Sequence, residues 1–145
     1  MTEIAFHFNV PDKLAYSCRL LRKAYLSGAS VVVTGDPAVL AELDALIWSF
    51  SPAEFVPHCR AGAPPSTLAA TPVVLAESLK DSPHYGVLVN LGHGIPAEFE
   101  RFERFIEVVA QADDDRLAAR SRWKHYTDRG YAMKRHDLAT AGEGA

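Results

Sequence analysis

Apolar and polar positions alternate along this chain with two different periods, and each change of period marks an element. Ile4 to Val10 is a short apolar-rich run stopped by Pro11, which predicts a strand. Asp12 then offers an N-cap, and Leu14, Cys18, Leu21 and Tyr25 recur at i, i+4, i+7 and i+11, the buried stripe of a helix that runs to Ser27 and closes at Gly28. Val31-Val-Val-Thr34 is β-branched without alternation, as in a strand covered on both faces. Asp36-Pro37 opens a second helix, which turns Leu40, Leu43 and Ile47 inward and ends near Trp48.

Ser49 to Pro57 reads as a proline-bounded connector, and the proline-rich stretch 59–72 as a surface loop. Val73–Leu75 and Val87–Leu91 predict two more strands, with Asp81–His84 turning between them. Pro96 starts a short acidic segment whose Phe99, Phe102 and Phe105 follow a helical i, i+3, i+6 spacing. Ile106–Ala110 predicts the last strand. The run from Asp113 to Gly130 predicts one helix, with three aspartates at the positive end of its dipole and glycine where a left-handed residue closes it. The tail 137–145 is Ala/Gly-rich and predicts disorder, leaving 1–136 as one domain. Strand–helix alternation of this kind predicts a single three-layer α/β domain, its central sheet largely parallel and covered by helices on both faces.

Charge singles out the last helix. The chain of 145 residues carries a formal net charge of -3. Residues 116–135 hold seven of the 15 basic residues against Asp128 alone, a local +6 that leaves -9 on the remainder. A basic patch on an acidic body suits a local anionic partner better than a wrapped duplex. At about 100° per residue, Arg116, Arg120 and Lys124 share one stripe, while Ala119, Trp123 and Tyr126 form the adjoining one. Two readings stand side by side. In one, the aromatics are core and the cations a solvated face. In the other, the helix receives a ligand with an aromatic and an anionic end.

Other candidate chemistry is thin. Gly92-His93-Gly94 follows a strand but lacks the third glycine of a dinucleotide turn, and no P-loop is present. The six histidines match neither a zinc-protease helix nor a structural zinc set, so no metal or cofactor is expected. His58-Cys59 has no third group to orient it as a nucleophile. Cys18 and Cys59 lack a CxxC spacing, no apolar run reaches 18 residues and no leader-like start is seen, which together suggest a reduced cytoplasmic protein. Trp48 and Phe55 stand at a helix end and in the connector, where an exposed aromatic anchors an interface.

Three stretches carry a family resemblance: Leu43-Asp-Ala-Leu-Ile-Trp48, then Pro52-Ala-Glu-Phe-Val-Pro-His58 with Ala61-Gly62, and Arg120-Ser-Arg-Trp-Lys-His-Tyr126. Cys18, Tyr25 and Gly28 before the valine-rich strand fit as well. Over residues 3–131 the chain resembles the chi subunit of bacterial DNA polymerase III. The resemblance implies a nucleotide-binding-like fold without a nucleotide site, and a non-catalytic replication role with two partners. One is the psi subunit of the clamp-loader complex. The other is the acidic, phenylalanine-terminated tail of single-stranded-DNA-binding protein (SSB), through which contact with single-stranded DNA is indirect. By motif position Arg120 meets the terminal carboxylate and Trp123, where the family often has tyrosine, walls the ring pocket. Arg116 and Lys124 meet acidic residues of the tail, while Val109 and Trp48 complete the apolar side. Phe55, with its neighbour Val56, matches the position used toward psi. The competing reading is direct nucleic-acid binding by the basic helix.

Overall fold

The computed structural model describes residues 1–50 and 55–139. Seven strands form one sheet: β1 (Glu3–Val10), β2 (Val31–Thr34), β3 (His58–Arg60), β4 (Val73–Leu75), β5 (Val87–Asn90), β6 (Arg104–Ala110) and β7 (Met133–Asp137). Their order is β3-β4-β2-β5-β6-β1-β7, and every pairing is parallel. The helices are α1 (Lys13–Leu26), α2 (Pro37–Phe50), α3 (Pro65–Ala70) and α4 (Asp113–Asp128), with a short 3-10 turn at Phe99–Arg101. Among the described residues no helix is long and apolar enough to cross a membrane.

Alternation along the strands divides the core into two. Val31, Val33, Val73, Leu75, Val87, Val89, Ile106 and Val108 face α1 and α2, meeting Cys18, Leu21, Leu40, Leu43 and Ile47. Val32, Val74, Leu88, Phe105 and Val109 face the other way, toward Phe99, Phe102 and the α4 residues Ala119 and Tyr126. β2, β4 and β5 are buried at every position, as strands covered on both faces must be. The three-layer expectation is met.

Local signals hold at the helix ends. The Asp12 side chain accepts from the Ala15 N–H, and Gly28 and Gly130 take φ of +84° and +80°, which glycine adopts at little cost. β1 departs from simple alternation. Asn9 sits at φ +60° beside a break in the β1–β6 register, so Ile4 and Phe6 face α4 while Val10 is delivered to the α1 side.

Four expectations need correction. The loop 59–72 contains α3, whose Pro65 occupies the first turn, and Leu68 packs on the α4-side core. Phe99, Phe102 and Phe105 do not share a helix: Phe105 lies in β6, which begins at Arg104, and all three meet because the chain folds back from the 3-10 turn. Both sheet edges were absent from the predicted strands. β3 is His-Cys-Arg and β7 is Met-Lys-Arg-His-Asp, sequences too polar to register as strands and of the kind that shields an exposed edge. The predicted tail therefore starts too early, since Asp137 ends β7 and Leu138 is buried against the α1-side core. The rest of that tail, residues 140–145, lies outside the described residues, as do 51–54 of the connector.

Candidate functional site

α4 meets the sheet through buried charged groups as well as apolar contacts. The Glu107 carboxylate, fully buried on β6, accepts from Arg122 Nε at 3.0 Å, from the Tyr126 hydroxyl at 2.6 Å and from Asn90 Nδ2 at 2.9 Å. Arg122 Nη1 reaches on to the His93 carbonyl at 2.7 Å. Burial pushes the Glu107 carboxyl upward, while the three donors pull the other way by favouring the ion. At the N-terminus of α4, Asp113 and Asp114 are exposed but Asp115 turns inward. It accepts from the Ala110 N–H and from Lys13 Nζ, and His93 Nε2 lies 2.8 Å away. Burial opposes this carboxylate, yet those partners together hold it below the usual range. Asp115 thus pins α4 to α1 and β6, a stronger role than dipole complementarity.

Glu107, Arg122 and Asp115 were not among the expected site residues. Only the pairing of an acid inside an apolar strand with an arginine on the buried stripe of α4 could have signalled the first two. The same network accounts for Gly92-His93-Gly94. Asn90 bonds the Gly94 carbonyl and the Gly92 N–H, and the turn leads to three residues of 3-10 helix rather than to a helix able to present N–H groups to a phosphate.

With Arg122 drawn into the core, the basic stretch splits. Lys124 pairs with Asp128 at 3.0 Å, and Arg129 contacts His125. Arg116 and Arg120 remain exposed on the outer edge of α4. There a pocket of about 390 Å³ opens between α4 and the β1–β7 edge. Phe6, Phe8 and Asn9 of β1, Val109 of β6, Ala119 and Trp123 of α4, and three arginines line it: Arg116, Arg120 and Arg135. Trp123 is half-buried and meets Phe6 edge to face, with ring centroids 5.1 Å apart. Among the described residues none of the three arginines has an ion-pair partner. The pocket therefore combines an aromatic wall with a cationic rim.

Of the residues expected here, Arg116, Arg120, Trp123 and Val109 come together. Lys124 and Trp48 do not. Lys124 is outside the pocket and engaged with Asp128. Trp48 belongs to α2, which covers the opposite face of the sheet, and its ring packs 5.0 Å from Phe55 and 5.3 Å from His58. The Phe-Val-Pro-His segment explains that second patch. Val56, expected beside Phe55 on the psi side, is 4% exposed and packs into the core, so its side chain does not lie on the surface of the free chain. His58 contacts the Val56 carbonyl and the Asp44 carboxylate of α2, each at 2.8 Å, leaving no ring nitrogen for Cys59. Trp48 and Phe55, 64% and 41% exposed, are left packed against each other at the surface, their rings tilted by 35°. Among the described residues no group of three or more His, Cys, Asp or Glu is placed to hold a metal ion.

Comparison with known proteins identifies the family of the chain. The family model for the DNA polymerase III chi subunit, HolC, matches residues 1–134. The chain is similar to the DNA polymerase III subunit chi of Pseudomonas aeruginosa PAO1, 33% identical over 144 residues that span 95% of this chain and 98% of that one. It is also similar to the DNA polymerase III subunit chi of Haemophilus influenzae Rd, 27% identical over 124 residues, 84% of this chain and 85% of that one. A match of this extent places the chain in the family of DNA polymerase III chi subunits, accessory subunits of the replicase.

Proposed function

We propose that the chain is a non-catalytic adaptor that links psi, and through it the clamp loader, to the acidic C-terminal tail of SSB. The observation that carries the reading is the pocket beside α4. A peptide ending in phenylalanine presents a ring and a carboxylate on one residue, and the pocket offers Trp123, Phe6 and Val109 beside Arg120 and Arg116. Arginine suits the carboxylate because its planar fork donates two parallel hydrogen bonds. The Trp48–Phe55 patch is the proposed psi surface, an exposed aromatic pair of the type that anchors interfaces.

The test is fluorescence anisotropy with an SSB-tail peptide, intact and lacking its terminal phenylalanine. Binding of the intact peptide alone, lost in Arg120→Ala, supports the reading. A folded Arg120→Ala variant that binds like the parent sinks it. Bare single-stranded DNA is the control for the competing reading, and tight, salt-steep binding to it without SSB would favour a nucleic-acid function.

A further inference from the structure

The cations of the pocket do not all come from α4. Arg135 enters from β7, the edge strand on the far side of the cleft, one residue beyond the part of the chain that the family model matches. Its guanidinium carbon lies 5.5 Å from the Phe8 ring centroid and 5.9 Å from that of Trp123. It thus reaches from the strand wall toward the helix wall, opposite Arg116 and Arg120. Register explains the placement. β7 pairs with β1 so that Arg135 sits beside Phe6, on the pocket side of the sheet, while Lys134 and His136 alternate to the other face. The edge position leaves Arg135 exposed, and among the described residues no carboxylate neutralises it. Two aromatic faces orient a guanidinium plane without consuming its donors, so its N–H groups remain available to an anion.

Resting on the tail-binding reading above, we infer that Arg135 is a second anion receptor of the pocket, which takes an acidic side chain of the bound peptide from the strand side while α4 takes the terminal carboxylate. The cleft is then two-sided, and it selects peptides that carry acids next to the terminal aromatic rather than any peptide ending in one.

The experiment compares the parent, Arg135→Ala, Arg135→Lys and Arg120→Ala, each checked for folding by circular dichroism. Each is titrated with the intact tail peptide and with one whose acidic side chains are replaced by amides, its terminal carboxylate kept. Arg135→Ala should weaken the acidic peptide about 3- to 10-fold and the amide peptide less than about 2-fold, with Arg135→Lys recovering part of the loss. Equal weakening for both peptides would make Arg135 a prop for the Trp123 and Phe8 rings and overturn the inference. So would unchanged binding of the acidic peptide by Arg135→Ala when Arg120→Ala has lost it, an outcome that leaves the tail-binding reading standing. A parent that binds neither peptide overturns both.

Discussion

Arg122 and Glu107 show how far one pair can redirect a basic sequence. Both are buried, at 2% and 0% exposure, and each satisfies part of the other's charge. Removing one partner strands the other in a low-dielectric site. Arg122→Ala should therefore destabilise the fold by about 3–5 kcal/mol in urea unfolding. The double replacement Glu107→Gln with Arg122→Met should cost less than the two single changes summed, because no ion is left unpaired. His7 makes a different prediction. It bonds the Tyr16 hydroxyl, and burial, then His136, Lys23 and Arg104, push its pKa down to about 4 from 6.5. Above pH 6.5 the ring is neutral in both folded and unfolded chains and contributes nothing to pH dependence. Between 6.5 and about 4 only the unfolded chain takes up the proton, so stability falls as pH falls through that window. The loss is at most about 3 kcal/mol, and His7→Gln should flatten that limb of the denaturation profile. Asp115 acts lower, since its depressed carboxyl adds stability that is lost only as pH drops through its folded pKa.

On the scale of one element, α4 divides its work by face. Asp115, Ala119, Arg122 and Tyr126 are buried, and the exposed flank beside Trp123 carries Arg116 and Arg120. The expected order of effects on tail-peptide affinity follows from that division. Arg120→Ala should cost on the order of 2–5 kcal/mol, because it leaves a partly buried carboxylate unpaired. Arg116→Ala should cost about 0–1 kcal/mol, screened by salt. Lys124→Ala should cost least, being outside the pocket and already paired with Asp128. The end of the helix is separable from its site. Gly130 holds φ +80°, and an added Cβ there meets nothing within 4 Å. Gly130→Ala should lower stability by about 1–2 kcal/mol through backbone strain alone, measured by thermal melting, with peptide affinity unchanged.

Across the whole molecule the two proposed partner surfaces stand at opposite edges of the sheet. The Trp48–Phe55 patch adjoins β3, and the arginine-rimmed pocket lies over β1 and β7 at the other end of the strand order. At about 4.8 Å per strand that is roughly 25 Å apart. Two partners would then have separate surfaces to occupy at once. Phe55→Ala or Trp48→Ala should weaken psi binding by about 2 kcal/mol or more and leave tail binding and melting temperature nearly unchanged. Arg120→Ala should do the reverse, and Phe55→Ala with Arg120→Ala should be additive. Calorimetry with each partner alone and with both together reads this directly. A large thermal loss in Phe55→Ala would place the ring in the core instead.

Local chemistry was enough to determine the elements whose own residues carry a signal. The doubly covered valines of β2, the periodic leucines of α1 and α2, the Asp12 cap and the glycines at 28 and 130 are readable because neighbours in sequence decide them. The candidate residues on α4 were legible for the same reason, since helical spacing alone puts Arg116, Arg120 and Trp123 side by side. What the tertiary structure decided depends on residues far apart in the chain. β3 and β7 are strands because a sheet edge accepts polar sequence. Arg122 leaves the basic patch because Glu107, fifteen positions away, draws it inward. Trp48 stays out of the pocket because α2 lies on the other face. Arg135 enters the pocket because the β1–β7 register sets it beside Phe6, with its guanidinium near the Phe8 ring. No local period encodes which face of a sheet a distant residue will meet; packing both faces at once does.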